Sequence, residues 1–448
     1  ETKPAGAATT RLIPTADAFS QFSPNMAVER EMDFKIGNGI FRKLWVGAPS
    51  STRGSDGLGP LFNARACQNC HIKDGRGHMP DGPDDSRVSA FLRLSVPGGP
   101  GRPEIPGYHP TRPDPVYGGQ LQDLALEGYL AEARMGVRWT EQPVTLADGT
   151  VVNLRAPTYA VEAPAYGPPH PQLQTSPRVA PQMIGLGLIE AIPVADIVAA
   201  ADEGDADGDG ISGRPQIVWS SEFDRPMLGR FGHKAGNATI REQSASAFAG
   251  DMGLSNPLFP DPAGECTEAQ ADCRAAPAGQ EPGVRDGLEV DGPSLDLVTF
   301  YSRNLAVPER RNAADPQVLR GKEIAYAIGC TSCHRPKFVT HRLADRPEQS
   351  FQLIWPYSDL LLHDMGEGLA DHRPEARADG REWRTAPLWG IALNGKVTGV
   401  ESYLHDGRAR SLIEAVLWHG GEAQPARDAV VALPTKEREA LIAWLASL

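Results

Sequence analysis

The stretch NARACQNCHIKDGRG, Asn63 to Gly77, sets Cys67 and Cys70 two residues apart with His71 directly behind them. A second copy stands in GCTSCHRP, as Cys330, Cys333 and His334. A thiol pair at this spacing could also be half of a zinc site or a thioredoxin-like redox pair. Zinc would need its other ligands at compact spacing, and a redox pair has no use for the adjacent histidine. Two copies in one chain point instead to covalent haem. Each pair of thiols adds across the haem vinyl groups, and the following histidine is carried round one helical turn to face the iron. What lies across each iron from His71 and His334 then decides whether a haem only passes electrons or also binds a small molecule.

At 448 residues the chain is long enough for two or three domains, with two as the default. The net charge of −13 is scattered, which argues against nucleic acid or an anionic membrane as the main partner. No run of about 18 apolar residues occurs. The opening ETKPAGAATT has no charged-then-apolar leader, so the chain is expected to be either mature and exported or cytoplasmic. Covalent haem attachment takes place outside the bacterial cytoplasm in an oxidising compartment, which favours the periplasm with the signal peptide already removed. There Cys266 and Cys273, in GECTEAQADC, can pair; the alternative is two free buried thiols.

Met32, Ile36, Ile40 and Leu44 recur every fourth residue and predict a packing helix leading to the first motif. From about residue 80 to 180, stretches such as RVSAFLRLSV and GVRWTEQPVTLADGTVVNLRAP alternate apolar and polar residues and carry turn signals, which predicts a partly β insertion among Pro- and Gly-rich loops. PSLDLVTFYSRNLAV, DPQVLRGKEIAYAIG and LPTKEREALIAWLASL read as helices, the second running into the second motif and the third closing the chain. The expected fold class is mainly α, with two cytochrome c-like haem domains related by duplication and long loops in the N-terminal half. The expected boundaries are 1–305 and 306–448.

FGHKAGNATIREQSASAFAGDMG from Phe231 aligns without gaps on YLHDGRARSLIEAVLWHGGEAQP from Tyr403, and RVAPQM from Arg178 resembles RTAPLW from Arg384. The common order suggests duplication of a one-haem domain. One difference is informative. His419 follows His405 by fourteen residues, whereas Ala247 stands fourteen residues after His233. His419, next to Gly420 at a helix end, is therefore the candidate second ligand opposite His334, and the first haem has no counterpart at Ala247. A surface histidine favoured by the helix dipole is the bland alternative for His419. His233, His363, Met365 and His405 compete as ligands for either iron.

With these motifs, and with DPVYGGQLQD, SPRVAPQMIGLGLIEAIP, DADGDGISGR and PYSDLLLHDMGEGLAD, the chain resembles the bacterial di-haem cytochrome c peroxidase superfamily over nearly its whole length. It is most similar to the di-haem oxidoreductase branch described as thiol oxidoreductase-like. The resemblance implies a reactive N-terminal haem, and a C-terminal haem, capped at the position of His419, that delivers electrons from a small periplasmic protein of cytochrome c or cupredoxin type. It also implies a distal Gln and acidic residue, which fall on Gln243 and Asp251; the acidic match is offset, and Glu190 is the second choice. The superfamily's inter-haem Trp falls near His233, where this chain has imidazole. A small oxidant such as peroxide is the expected substrate. A pure electron-transfer cytochrome and an oxygenase or protein-modifying oxidase are the alternatives. Asp205, Asp207, Asp209 and Ile211 match the first half of an EF-hand-type loop and form a calcium candidate, although Gln216 occupies the twelfth position where Glu is expected.

Overall fold

The computed structural model describes residues 1–80 and 89–448. Arg87 and Val88, which open the RVSAFLRLSV stretch of the expected β insertion, lie outside the described residues.

Each half rests on a crossing of two helices that only glycine permits. The helix Glu31–Phe41 leads towards the first motif and packs on Gly292–Arg303, where a Cβ on Gly37 would stand 2.2 Å from the Leu297 carbonyl oxygen. The helix Pro316–Ala327 leads into the second motif and packs on Thr435–Ser447, where a Cβ on Gly321 would stand 1.8 Å from the Ala440 oxygen. Asp315 caps the second lead-in helix through the Gln317 N–H, and Pro316 needs no donor at its first turn. Phe34, Phe41, Phe248 and Tyr301 fill the core beside the first motif, and Tyr357, Leu441 and Trp444 the core beside the second.

The face that Glu31–Phe41 buries is not the one its fourfold spacing predicts. Phe34, Gly37 and Phe41 are buried, while Met32 and Ile36 face solvent. Two apolar rows share this helix, and the bulkier aromatic row takes the core because it removes more surface from water.

The mainly α expectation is corrected by the structure, which is 28% helix and 19% strand. Forty prolines and 47 glycines cut the helices short, and several are a single turn, including Cys67–Cys70 and Cys330–Cys333. The strands are correspondingly prominent. Gln174–Val179 pairs antiparallel with Ala90–Pro97, which pairs in turn with Thr111–Arg112. A long hairpin joins Arg134–Thr145 to Val151–Glu162, in register from Arg134 opposite Glu162 to Thr145 opposite Val151.

That hairpin reaches across to the C-terminal half. Leu146, Leu154 and Ala156 pack with Trp383, Tyr403, Leu417 and Trp418. Its tip is tied by Asp148 to Arg438 at 2.6 Å, and its flank by Arg155 to the Gly407 carbonyl at 3.1 Å. The N-terminus crosses as well: Thr9–Thr10 pairs parallel with Val307–Pro308, and the Trp355 N–H bonds the Pro4 carbonyl. Among the described residues no helix is long and apolar enough to cross a membrane.

Candidate di-haem site

The two repeat segments fold alike. In each, a residue before the turn bridges one six positions on, Phe231 to Asn237 and Tyr403 to Ala409. A hydroxyl then caps the following helix: Thr239 accepts from Glu242 N, and Ser411 from Glu414 N. The two segments meet through their partners. Val179 N bonds the His405 carbonyl, and Arg384 N bonds the His233 carbonyl, both at 2.9 Å, so each half's R-x-A-P stretch runs beside the other half's repeat.

Both Cys-x-x-Cys-His motifs open onto one cavity of about 850 Å³ that continues between the halves. The four motif thiols are free, and burial pushes Cys67 up to about 12 and Cys330 to about 11, so they stay protonated rather than offering thiolates. The motif histidines are oriented from behind. His71 Nδ1 donates to the Pro181 carbonyl and His334 Nδ1 to the Tyr357 carbonyl, each at 2.8 Å. Burial lowers both to about 4, leaving neutral rings whose Nε2 lone pair is free for a metal. His419 repeats the arrangement, with Nδ1 donating to the Ala415 carbonyl at 2.8 Å, and it lines the same cavity. Its field is felt at His334, whose protonation it opposes. Ala247, at the matching place on the helix Ile240–Met252, also lines the cavity and offers no ligand.

The walls fit two haems. Haem carries two carboxylates, and the cavity is lined by Arg76, Arg178, Arg230, Arg373 and Arg384. Arg76 Nε and Nη2 and Arg373 Nε are buried without a hydrogen-bond partner among the described residues. Unpaired guanidinium N–H groups at this depth call for an anion.

A family model described as "Di-haem oxidoreductase, putative peroxidase" matches residues 1–448, the whole chain. The chain belongs to the di-haem oxidoreductase family. No curated protein and no solved structure matches this di-haem oxidoreductase.

The remaining candidates divide. Gln243 and Asp251 stand one turn either side of Ala247 and both line the cavity. Asn237 Nδ2 donates to Gln243 Oε1 at 2.9 Å, which leaves the Gln243 NH₂ for a ligand. Asp251 accepts from Gln120 Nε2 at 2.8 Å, and burial, its largest influence, raises its pKa. Glu190 lies outside the cavity, paired to Arg303 and Arg346 at 2.6 Å each and accepting from Ile240 N, where it caps a helix. His363 is likewise no open ligand. Its Nδ1 donates to Glu422 at 2.7 Å and its Nε2 to Asp359 at 2.8 Å; burial opposes the charge, but these carboxylates hold it protonated up to about 12. His233 spends Nε2 on the Val179 carbonyl at 2.8 Å. Met365 lines the cavity, and so does His405, whose Nε2 is buried without a hydrogen-bond partner among the described residues, with Asp406 3.7 Å away.

Sequence reasoning missed Trp383, which stacks on His405 with ring centroids 3.7 Å apart and lines the cavity. The signal was available in REWRTAP, where Trp383 directly precedes the repeated Arg384.

Cys266 and Cys273 are bonded to each other, their Cα atoms 5.9 Å apart. In the acidic loop the carboxylates that converge are Asp202, Asp205 and Asp207. Asp209 turns instead to the Ile211 N–H at 2.9 Å, so the expected set Asp205, Asp207, Asp209 and Ile211 does not gather as a group.

Proposed function

We propose that this di-haem oxidoreductase is a periplasmic peroxidase with haem c at both motifs. A small cytochrome c or cupredoxin-type protein supplies electrons at the C-terminal module, and hydrogen peroxide is reduced at the N-terminal one. The observation that carries the reading is the exchange of His419 for Ala247 between two repeat segments that share their turn, their helix cap and one cavity. Cys67 and Cys70 would hold one haem and Cys330 and Cys333 the other, with His71 and His334 as their fixed ligands and His419 closing the second iron. The bound haems supply the redox chemistry, in which peroxide takes two electrons and two protons to give two waters.

The protein's own groups then act around the place that Ala247 leaves open. Gln243 donates an amide N–H to an incoming oxygen and fixes its position. Asp251, its carboxyl kept protonated more readily by burial, holds a proton for the departing oxygen. Gln120 keeps that carboxyl in place. Turnover of the haem-loaded chain with peroxide and a reduced cytochrome tests the reading: two cytochromes are oxidised per peroxide, and Gln243→Ala lowers kcat/KM by roughly tenfold to a hundredfold. Absence of peroxide-dependent oxidation overturns it.

The Nε2 of His405, without a hydrogen bond among the described residues and lining the cavity, supports a second reading, in which both irons are capped and the chain only transfers electrons. Peroxide and cyanide would then leave the absorption spectrum unchanged. Calcium at Asp202, Asp205 and Asp207 is a separate proposal, checked by equilibrium dialysis: Asp207→Ala loses one ion per chain, and unchanged stoichiometry removes the site.

A further inference from the structure

Asn63, which opens the stretch around the first motif, is 1% exposed and holds the Asp251 segment twice over. Its backbone N–H donates to the Asp251 carbonyl at 2.8 Å. Its side chain reaches the Asp251 carboxyl through one intermediary: Gln120 Nε2 donates to Asn63 Oδ1 at 2.6 Å and to Asp251 Oδ1 at 2.8 Å. Gln120 is fully buried and is itself placed by the strand Ala90–Pro97, since Leu121 N bonds the Leu92 carbonyl and Leu94 N the Gly119 carbonyl.

The direction of these bonds is set at the far end. Asn63 Nδ2 donates to the Leu121 carbonyl at 2.7 Å and to Asp123 at 2.9 Å. Burial raises Asp123 to about 6, so its charge changes near neutral pH. The Leu121 carbonyl has no such freedom, because it can only accept. With its NH₂ turned to Leu121, Asn63 presents Oδ1 to Gln120, and Gln120 meets it with an NH₂ of its own. Both hydrogens of that group are then used, one on Asn63 and one on Asp251. Gln120 Oε1 is left buried with no partner among the described residues, yet reversing the amide would set that oxygen against Asn63 Oδ1.

Asp251 Oδ1 is therefore held as an acceptor. Oδ2 makes no hydrogen bond among the described residues, and the side chain lines the cavity. We propose that Asn63, acting through Gln120, confines the Asp251 proton to Oδ2 and so aims it into the cavity. Asn63 and Gln120 are positioning residues in this scheme, which rests on Asp251 as the proton donor of the proposed peroxidase. Oδ2 gives its proton to the departing peroxide oxygen; the carboxylate left behind keeps the Gln120 bond and regains a proton from solvent before the next peroxide.

Beyond Gln120, the groups that bear on Asp251 are Arg93, the Glu265 carboxylate and the sulfurs of Cys67 and Cys70. Substitutions at 63 and 120 leave all four in place. Burial is the largest influence and raises the Asp251 pKa, whereas the Gln120 bond lowers it. Loss of that bond moves the pKa up, and so does its reversal, in which Oε1 accepts from a protonated Asp251.

Infrared difference spectra of the haem-loaded protein across pH, read beside peroxide turnover, test the proposal. The C=O stretch of protonated Asp251, identified by its loss in Asp251→Asn, lies low in the wild type because Oδ1 accepts from Gln120. Gln120→Met moves it to higher wavenumber, and Asn63→Leu shifts it too. In both variants the alkaline fall of kcat/KM moves to higher pH, and the plateau below it drops roughly tenfold. Haem absorption and melting temperature report whether Asn63→Leu, which takes a donor from the Leu121 carbonyl, still folds; Gln120→Met keeps Asn63 and carries the test where it does not. A band and a pH profile unmoved in the folded variants overturn the proposal, and an inactive Asp251→Asn then leaves the peroxidase reading standing. Full activity of Asp251→Asn, with the band still moved by Gln120→Met, does the reverse: it removes the acid from that reading and upholds the orientation.

Discussion

At the scale of single residues the proposed function turns on one difference between the two repeats, His419 against Ala247. His419 lies just beyond the helix Leu412–Leu417, Ala247 sits inside the helix Ile240–Met252, and each lines the cavity shared by the motifs. Ala247→His is expected to close the first iron and abolish the absorption change on adding peroxide, while His419→Ala opens the second iron and slows electron uptake from a reduced cytochrome. Stopped-flow absorption checks both, and an unaltered peroxide response in Ala247→His contradicts the assignment. Glu132 makes a prediction away from the cavity. It is fully buried among the Gln122 N–H and the Gln270 amide, and burial raises its pKa from 4.5 to about 8. Folded, it keeps its proton up to about pH 8; unfolded, it releases it near 4.5. The stabilisation is thus complete below 4.5 and lost as pH rises through about 8, a change of order 5 kcal/mol. Melting curves should show stability falling from pH 6 to pH 9 in the wild type and a flatter profile in Glu132→Gln; parallel profiles contradict it. The bond between Cys266 and Cys273, and the gathering of both motifs and His419 on one cavity, were legible because their spacing is local or repeated. The engagement of Glu190 with Arg303 and Arg346, and of His363 with Asp359 and Glu422, was not. Of these partners only Asp359 lies near in the chain, and nothing in the local pattern marks it as one.

At the scale of elements, the duplication is expressed in glycine. Gly37 and Gly321 occupy equivalent crossings, and any side chain at either would strike a backbone carbonyl. Gly321→Ala should destabilise the protein by about 1–3 kcal/mol through overpacking, although alanine favours an isolated helix by about 1 kcal/mol. A rise in melting temperature would show that the helices can separate at no cost. Leu154→Ala on the hairpin should cost about 2–4 kcal/mol, because Leu154 packs between the hairpin and the C-terminal half. The lead-in helices were legible from apolar spacing. Which face of Glu31–Phe41 turns inward was not, since period alone cannot rank Phe34 and Phe41 against Met32 and Ile36.

At the scale of the whole molecule, the expectation of a mainly α chain failed because helix signals near the motifs are strong and strand signals in Pro- and Gly-rich segments are weak. The strands do structural work, binding the N-terminal half to the C-terminal half by the hairpin and by Thr9–Thr10. Beside these ties, each half's repeat lies against the other's R-x-A-P stretch, and both motifs line one cavity. Under the proposed function this one cavity holds two unequal metal positions, one closed by His419 and one left open beside Ala247. Electron paramagnetic resonance of the resting haem-loaded protein tests this most directly. Equal amounts of a high-spin haem and a low-spin bis-imidazole haem are predicted, with His419→Ala removing the low-spin signal. Two low-spin haems, neither altered by that substitution, would contradict the account.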